Sequence, residues 1–312
     1  MNRVFLTTTS AIAVAGAALL GTAAQAQDDL TIGLAVANLQ ADFFNQIKQS
    51  VEAAGEEQGI EIITVDAAGD AATQVSQIQD LITREIDALI YIPAGATAAG
   101  VPVEAARAAG IPVVAVDRNP PDVPGDTFIA TNSVAAAQEL GDWVCEQTGG
   151  EGRVGVVQGQ LGTTPEIDRD TGFRAALDDC PGIEIVAQQA SNMWMQDEGF
   201  AIAQDMLLRD PEITIFFGRA DALALGAAQA VQVANLDHDV LVVGFDGDFA
   251  GLEAVRDGVL DATMTQRTQG MGRMALESAI ALINGEDVPA EQLQPATLTT
   301  SENAAGFLEN HP

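Results

Sequence analysis

Ile111-Pro112-Val113-Val114-Ala115-Val116-Asp117-Arg118 decides how this chain folds, because the same pattern returns as Val240-Leu241-Val242-Val243-Gly244-Phe245-Asp246-Gly247. Both are short, apolar, β-branched runs that stop at an Asp. A run without polar alternation reads as a parallel strand buried on both faces. An Asp just past its end lies at the carboxyl edge of the sheet, where open α/β folds bind ligands. Two copies predict two sheets, each presenting one carboxylate to a shared cleft.

The repeat extends outward from these runs. Gly59-Ile60-Glu61-Ile62 matches Gly182-Ile183-Glu184-Ile185, and Asp87-Ala88-Leu89-Ile90-Tyr91 resembles Glu212-Ile213-Thr214-Ile215-Phe216. In the first copy, strands are predicted over 31–36, 60–65, 88–92 and 112–116. Helices lie between them, the first ending near Glu57 with Gly59 placed as a C-cap glycine, the others over 72–85 and 98–109. In the second copy, strands fall at 153–158, 183–187, 213–217 and 240–245. Its helices run from the loop Gly162-Thr163-Thr164-Pro165 to about Asp179, then over 196–208 and 222–233. Such alternation builds right-handed βαβ units on a parallel sheet.

Phe128-Ile129-Ala130-Thr131-Asn132 lacks helical period and leads into a helix with Ser133 as expected N-cap, so it reads as a crossing between lobes. After a helix over about 250–257, Ala262–Gln266 is a second crossing and Pro295–Thr300 a third. The amphipathic helix 271–284 between them has no place left in the second lobe and is expected to return to the first. The predicted fold class is α/β, with two similar doubly wound parallel-sheet lobes joined by a three-strand hinge. Lobe one comprises residues 27–131 plus 267–293, and lobe two residues 132–266 plus 294–312.

With 312 residues, the chain is long enough for two domains; at 47% hydrophobic and only 4% aromatic, its core must be mostly Ala, Val, Ile and Leu. Its net charge of −32, with Lys48 the only lysine, repels nucleic acid and anionic lipid and excludes both as partners. The charge itself reads as solubility in a salty medium. Residues 1–26 have the parts of a cleavable export signal: Arg3, the apolar Ala11–Leu20 and the A-x-A site Ala24-Gln25-Ala26. The mature product is expected to start at Gln27 and to be soluble. Cys145 and Cys180 both fall at predicted helix ends of the second lobe. An oxidising compartment permits a disulfide between them, against the alternative of two buried thiols. No Cys/His cluster has metal-ligand spacing, so neither metal nor cofactor is expected. His238, in Leu236-Asp237-His238-Asp239, reads as a solvated turn residue.

Over nearly its whole mature length the chain resembles the periplasmic sugar-binding proteins of the ribose/galactose type, which carry substrate to ABC importers and share their fold with the ligand lobes of LacI-type repressors. The resemblance rests on Phe43-Phe44 after the first strand, Val116-Asp117-Arg118, Arg169-Asp170-Thr171-Gly172-Phe173, Asp221-Ala222-Leu223-Ala224-Leu225-Gly226, Val243-Gly244-Phe245-Asp246-Gly247 and Ala262-Thr263-Met264-Thr265-Gln266, in that order. It implies the type I periplasmic binding protein fold, a periplasmic location, and a sugar or polyol as ligand. It also implies permease subunits as partners, with a chemoreceptor as a further compatible partner, and a monomer. Carried onto matching positions, the ligand set is Phe43, Phe44, Asp117, Arg118, Arg169, Trp194, Asp246 and Gln266. The pattern fails where the family's Ser and two Asn fall on Ala37, Ala41 and Ala220, with Arg219 beside the last as a candidate substitute. Those losses leave ribose no better placed than another pentose, a sugar alcohol or a cyclitol.

The chemistry suits a polyol. Carboxylates accept from neighbouring hydroxyls while guanidinium groups donate in a fixed fork, each charged hydrogen bond contributing about 1.5–3 kcal/mol. A few of these, with aromatic faces on C–H groups, reach the ~8 kcal/mol of a micromolar Kd. Plainer readings stand beside these. Either Asp after a strand can cap the next helix. One of Phe43 and Phe44 is expected in the core, because adjacent helical residues point differently. Arg219 can be a surface ion-pair residue, Trp143 packs with Leu140, and Asp221 reads as the N-cap of helix 222–233. Two other function classes share the fold. A glycosidase could use the paired carboxylates, but no Ser lies near a His or free Cys and no phosphate loop follows the first strand. A transcription regulator would need a helix-turn-helix or basic arm, and neither is present.

Overall fold

The computed structural model describes Met1 and residues 30–312; the expected export signal and its cleavage site fall outside the described residues. The first half runs β1 (Thr31–Val36), α1 (Asp42–Gln58), β2 (Glu61–Asp66), α2 (Ala71–Thr83), β3 (Ala88–Tyr91), α3 (Gly100–Ala108), β4 (Val113–Val116) and β5 (Thr127–Thr131). It continues with α4 (Ser133–Thr148), β6 (Glu151–Gln158), α5 (Thr164–Asp178), β7 (Gly182–Ala190), α6 (Gln196–Arg209), β8 (Ile215–Gly218), α7 (Asp221–Ala234), β9 (Leu241–Val243) and α8 (Phe249–Arg256). The last elements are β10 (Thr263–Thr265), α9 (Thr268–Ile283), β11 (Glu291–Gln294), β12 (Thr297–Thr299) and α10 (Ala304–Glu309).

The larger sheet has six parallel strands in the order β11-β5-β4-β3-β1-β2. Central β3 and β4 are buried at every residue, as unbroken apolar runs require, whereas edge strand β2 is half-exposed. Side chains of β1 alternate between faces. Ile32, Leu34 and Val36 pack with Phe44, Ile47, Met271 and Leu276 of α1 and α9, while Ala35 joins Ile78, Leu81 and Val103 on the face covered by α2 and α3. The smaller sheet is β7-β6-β8-β9, also parallel, with α6 and α7 on one face and α4 and α5 on the other. Bridges Val243↔Ala262 and Asp246↔Thr265 lay β10 beside β9, and β10 pairs antiparallel with β12. Both sheets thus follow the order 2-1-3-4-5, in which the strand order reverses between the first and third strands and opens a crevice at the carboxyl edge.

The chain passes between the sheets after β5, after β10 and after β11, so α9 does pack back on α1. The third passage falls within Pro295–Thr300, as expected, but a strand that was not expected precedes it. Glu291–Gln294 is an additional strand on the edge of the larger sheet, and Pro295, which has no N–H for a ladder, follows it directly. At the first passage the N-cap is Asn132, whose side chain accepts from the Ala135 N–H at 3.4 Å, and Ser133 is already helical. Gly59 ends α1 in the left-handed conformation at φ 70°. Cys145, in the last turn of α4, is joined to Cys180 just past α5 with Cα atoms 6.3 Å apart, within the usual disulfide range. Among the described residues no helix is long and apolar enough to cross a membrane. His238 is half-buried rather than solvated, its Nε2 donating to the Ile213 carbonyl at 3.0 Å.

Candidate ligand site between the two sheets

The carboxyl edges of the two sheets face each other across a cavity of about 230 Å³, smaller than the roughly 300–1,000 Å³ typical of drug-sized ligands. Phe43, Phe44, Asp117 and Arg118 line it from the side of the larger sheet, and Arg169, Trp194 and Asp246 from the smaller. A wider hollow of about 620 Å³ lies at the opposite, amino edge of the smaller sheet between Glu151, Glu184, Thr214 and Asp261. It holds none of the candidate residues.

Neither strand-end Asp is a helix cap. Asp117 follows β4 with φ 60°, and Asp246 follows β9 with φ 124°. Both angles lie where L-residues are strained, and Trp194 shares the feature at φ 63°. Backbone strain of this kind persists only where surrounding structure enforces it, and it collects at functional sites. The cap of α8 is instead Asp248, which accepts from the Gly251 N–H at 2.7 Å. Asp117 is buried, with Arg118 Nε 3.6 Å away as its ion-pair partner. Asp246 is more constrained: its Oδ1 is ion-paired with Arg169 Nη2 at 3.1 Å and accepts from Gln266 Nε2 at 2.8 Å. Burial pushes the Asp117 carboxyl up, against the pull of Arg118 and Arg169. Burial likewise pushes Asp246 up to about 7, against Arg169, with Asp248 and Asp117 adding to the rise.

The aromatic residues complete the walls. Phe43 and Phe44 sit edge to face, centroids 5.4 Å apart, and both line the cavity while both belong to the core. Trp194 lies between the two guanidinium groups, with Arg118 and Arg169 each 5.6 Å from its ring centre. Arg118 also covers Phe44 at 5.1 Å, and Arg169 covers Phe245 at 4.0 Å. Arg118 Nε, Arg169 Nε and Trp194 Nε1 are buried without a hydrogen-bond partner among the described residues. An unpaired buried donor costs about 1–3 kcal/mol, and all three belong to residues that line the cavity.

Two expected contacts do not line the cavity. Gln266 is wholly buried behind Asp246, and its Oε1 accepts from Thr131 Oγ1 at 2.5 Å, tying two lobe crossings together. Arg219 is neither a cavity residue nor a surface residue. It is fully buried, paired with Asp170 at 2.5 Å and Glu166 at 3.9 Å, and stacked on Phe217. Its carbonyl accepts from Arg169 Nη1, so it supports Arg169 from behind. Asp221 is also corrected. Ala220 is the N-cap of α7, and the buried Asp221 carboxylate accepts from the N–H groups of Gly247 at 2.7 Å and Asp248 at 3.1 Å and from Thr263 Oγ1 at 2.6 Å. It holds the turn that carries Asp246. Burial, with Asp248 and Asp246 close by, drives its carboxyl well above the usual range.

Sequence reasoning missed Asp42 and Asp248, which line the mouth of the cavity from opposite sides. Burial, with Asp42 nearby, raises Asp248 to about 6. The signal for Asp248 was the doublet Asp246-Gly247-Asp248; for Asp42 it was its place immediately before Phe43. Ala41 and Ala220, where the resemblance leads one to expect Asn, line the wall as apolar surface.

Residues 32–287 match the family described as the periplasmic binding protein domain. The chain belongs to the periplasmic binding protein family. It is 30% identical to the ribose import binding protein of Bacillus subtilis over 274 residues, covering 88% of each chain. It is 31% identical to the xylitol-binding protein of Mycolicibacterium smegmatis over 310 residues, covering 96% of this chain and 87% of that one. Among solved structures, a solute-binding protein of an ABC transporter from Bacillus halodurans C-125, with bound myo-inositol, superposes with a TM-score of 0.84 at 28% identity. That match covers 90% of this chain and 98% of that one. As a periplasmic binding protein the chain binds its ligand rather than converting it, and the family implies a periplasmic or extracellular location.

Proposed function

We propose that this periplasmic binding protein is the substrate-binding subunit of an ABC importer and captures one monosaccharide, sugar alcohol or cyclitol ring by closing its lobes on it. The observation that carries the reading is the pair of Asp–Arg sets, Asp117 with Arg118 and Asp246 with Arg169, arriving from separate sheets on one small cavity with buried unpaired donors. The relatives that bind ribose, xylitol and myo-inositol support the ligand class. Asp117 and the free Oδ2 of Asp246 accept from ring hydroxyls; Arg118, Arg169 and Trp194 Nε1 donate to them; Phe43, Phe44 and Trp194 cover C–H faces. The loaded protein, a monomer, delivers its cargo to the permease. Residues 27–131 plus 267–293 form one closing body and 132–266 plus 294–312 the other. The run of β11 to Gln294 supports that boundary to within one residue. Export removes residues 1–26, and the first residue of the exported form, read by mass spectrometry, is expected to be Gln27.

The test is a thermal-shift screen with D-ribose, other pentoses and hexoses, xylitol and myo-inositol, followed by small-angle scattering of any binder. A binder at a hundredfold excess over its Kd stabilises by about 2.7 kcal/mol, and closure shrinks the radius of gyration. No melting shift with any member of the panel would sink the ligand class; a shift without compaction would sink the closing motion.

A further inference from the structure

The last residues of the chain reach the ligand site from outside. His311 Nε2 lies 2.7 Å from the carbonyl of Gly247, so that nitrogen carries the proton and donates. The ring packs tilted against Phe249, centroids 5.5 Å apart, and the Pro312 carbonyl accepts from the Gln269 N–H at 3.0 Å. Thr268 Oγ1 lies 3.3 Å from His311 Nδ1 and 2.7 Å from Gln46 Oε1, and its single proton serves one of the two acceptors at a time. Gln46 Nε2 donates to Asp42 Oδ2 at 2.8 Å, which also accepts from the Phe249 N–H at 3.4 Å. The chain of contacts leaves the turn at Gly247, passes through a hinge residue and α1 of the larger sheet, and re-enters at Phe249. It is a closed loop across the cleft.

Within that loop the Gly247 peptide is held from both sides, its N–H by Asp221 and its carbonyl by His311. The turn needs both holds. Asp246 is at φ 124° and Gly247 at φ 67°, and a Cβ on Gly247 would lie 2.4 Å from Thr265 Cα, so only glycine fits and the turn carries strain of its own. Asp246 and Asp248 on either side of Gly247 both line the cavity, whereas His311 does not.

We propose that His311 is a positioning residue for the ligand site, fixing the Asp246–Gly247–Asp248 turn through its hydrogen bond to the Gly247 carbonyl. Its effect on affinity rests on the functional reading above; its effect on the turn does not. Hydrogen exchange on the ligand-free protein therefore tests it independently of any ligand. His311→Ala is expected to speed exchange of the amides of residues 246–251 roughly three- to tenfold, the equivalent of one neutral hydrogen bond. Exchange in β3 and β4 and the melting temperature stay as in the parent. His311→Gln, whose amide can donate to the same carbonyl, restores slow exchange. If a binder is found among ribose, xylitol and myo-inositol, its Kd weakens by a similar factor in His311→Ala and recovers in His311→Gln. Unchanged exchange at 246–251 in His311→Ala overturns the proposal. So does a rise spread evenly over the chain, which marks general destabilisation, and so does failure of His311→Gln to recover, which leaves only ring packing on Phe249. A protein that binds none of the panel yet shows the local, rescued rise retains this inference while losing the ligand class.

Discussion

Asp117 and Asp246 end equivalent strands of two similar sheets, yet the protein treats them differently. Among the described residues Asp117 has one ion-pair partner, Arg118 at 3.6 Å, beyond hydrogen-bond distance, and its oxygens accept no hydrogen bond. Asp246 is tied by Arg169 and Gln266, and its turn is pinned by Asp221. The larger sheet thus offers a bare acceptor at the end of a fully buried strand. The smaller offers an acceptor whose position depends on a polar network that extends to the hinge. A repeat in sequence therefore becomes a division of labour, with capture on one side and coupling to the hinge on the other.

The largest expected effect breaks the network side alone. Arg219 is wholly buried against Glu166 and Asp170. Arg219→Ala leaves the buried Glu166 carboxylate without its cation and removes the packing behind Arg169, which is expected to cost about 3–5 kcal/mol of stability. Denaturant unfolding measures it. A loss under about 1 kcal/mol would show that Arg169 and Asp246 need no such support.

Next come the two Asp residues themselves. Each Asp→Ala change strands ligand hydroxyls at about 1–3 kcal/mol per lost partner, or roughly tenfold to several-hundredfold in affinity for whichever sugar or polyol binds. The comparison predicts a split in stability. Asp117→Ala lowers the ligand-free melting temperature only slightly, since its pair with Arg118 is long and carries no hydrogen bond. Asp246→Ala lowers it more, because Arg169 and Gln266 lose their acceptor. Titration calorimetry and melting curves on both variants decide. Equal stability changes would erase the distinction, and affinity unchanged in both would remove the site.

Much of this was legible in the sequence, and the failures have physical causes. β1, β3 and β4 were readable because strands buried on both faces must be apolar throughout. β11 was not, because Glu291-Gln292-Leu293-Gln294 is a half-exposed edge strand with no apolar run. The strand-end Asp residues could be found from their repeat. That each sits in a left-handed conformation could not, since neither Asp117 nor Asp246 is a glycine that would flag it. Asp221 was misread as a cap because its place before a helix is the commonest use of an Asp there, and only tertiary packing brings Gly247, Asp248 and Thr263 to it. Arg219 stood beside a missing family contact and was assigned to the cavity. Three-dimensional packing puts Asp170 and Glu166 within its reach and turns it inward.

The smallest expected effect, and the finest probe of the difference between the two sites, is on pH. Burial raises Asp246 to about 7 and Asp248 to about 6 in the folded protein, whereas an unfolded Asp titrates near ~3.9. A raised folded value means that the native state holds more protons than the unfolded state between those limits. This contribution to stability is therefore complete below about pH 4 and is lost as pH rises through about 6 to 7. The ligand-free melting temperature should fall between pH 5 and pH 8. Ligand affinity should move the other way. Hydroxyls donate to the ionised Asp246, so binding favours the deprotonated form and weakens on acidification, by at most about tenfold per pH unit for one linked proton. Asp246→Asn should remove the part of both profiles centred near 7, at whatever affinity the variant retains. Melting curves and calorimetric titrations in buffers of different ionisation enthalpy read the two slopes and the protons released. If ligand-free stability instead rises from pH 5 to 8, or if Asp246→Asn leaves the slope near 7 intact, then Asp246 is already ionised and fully stabilised by Arg169 and Gln266, and the smaller sheet presents a charge as settled as any on the surface.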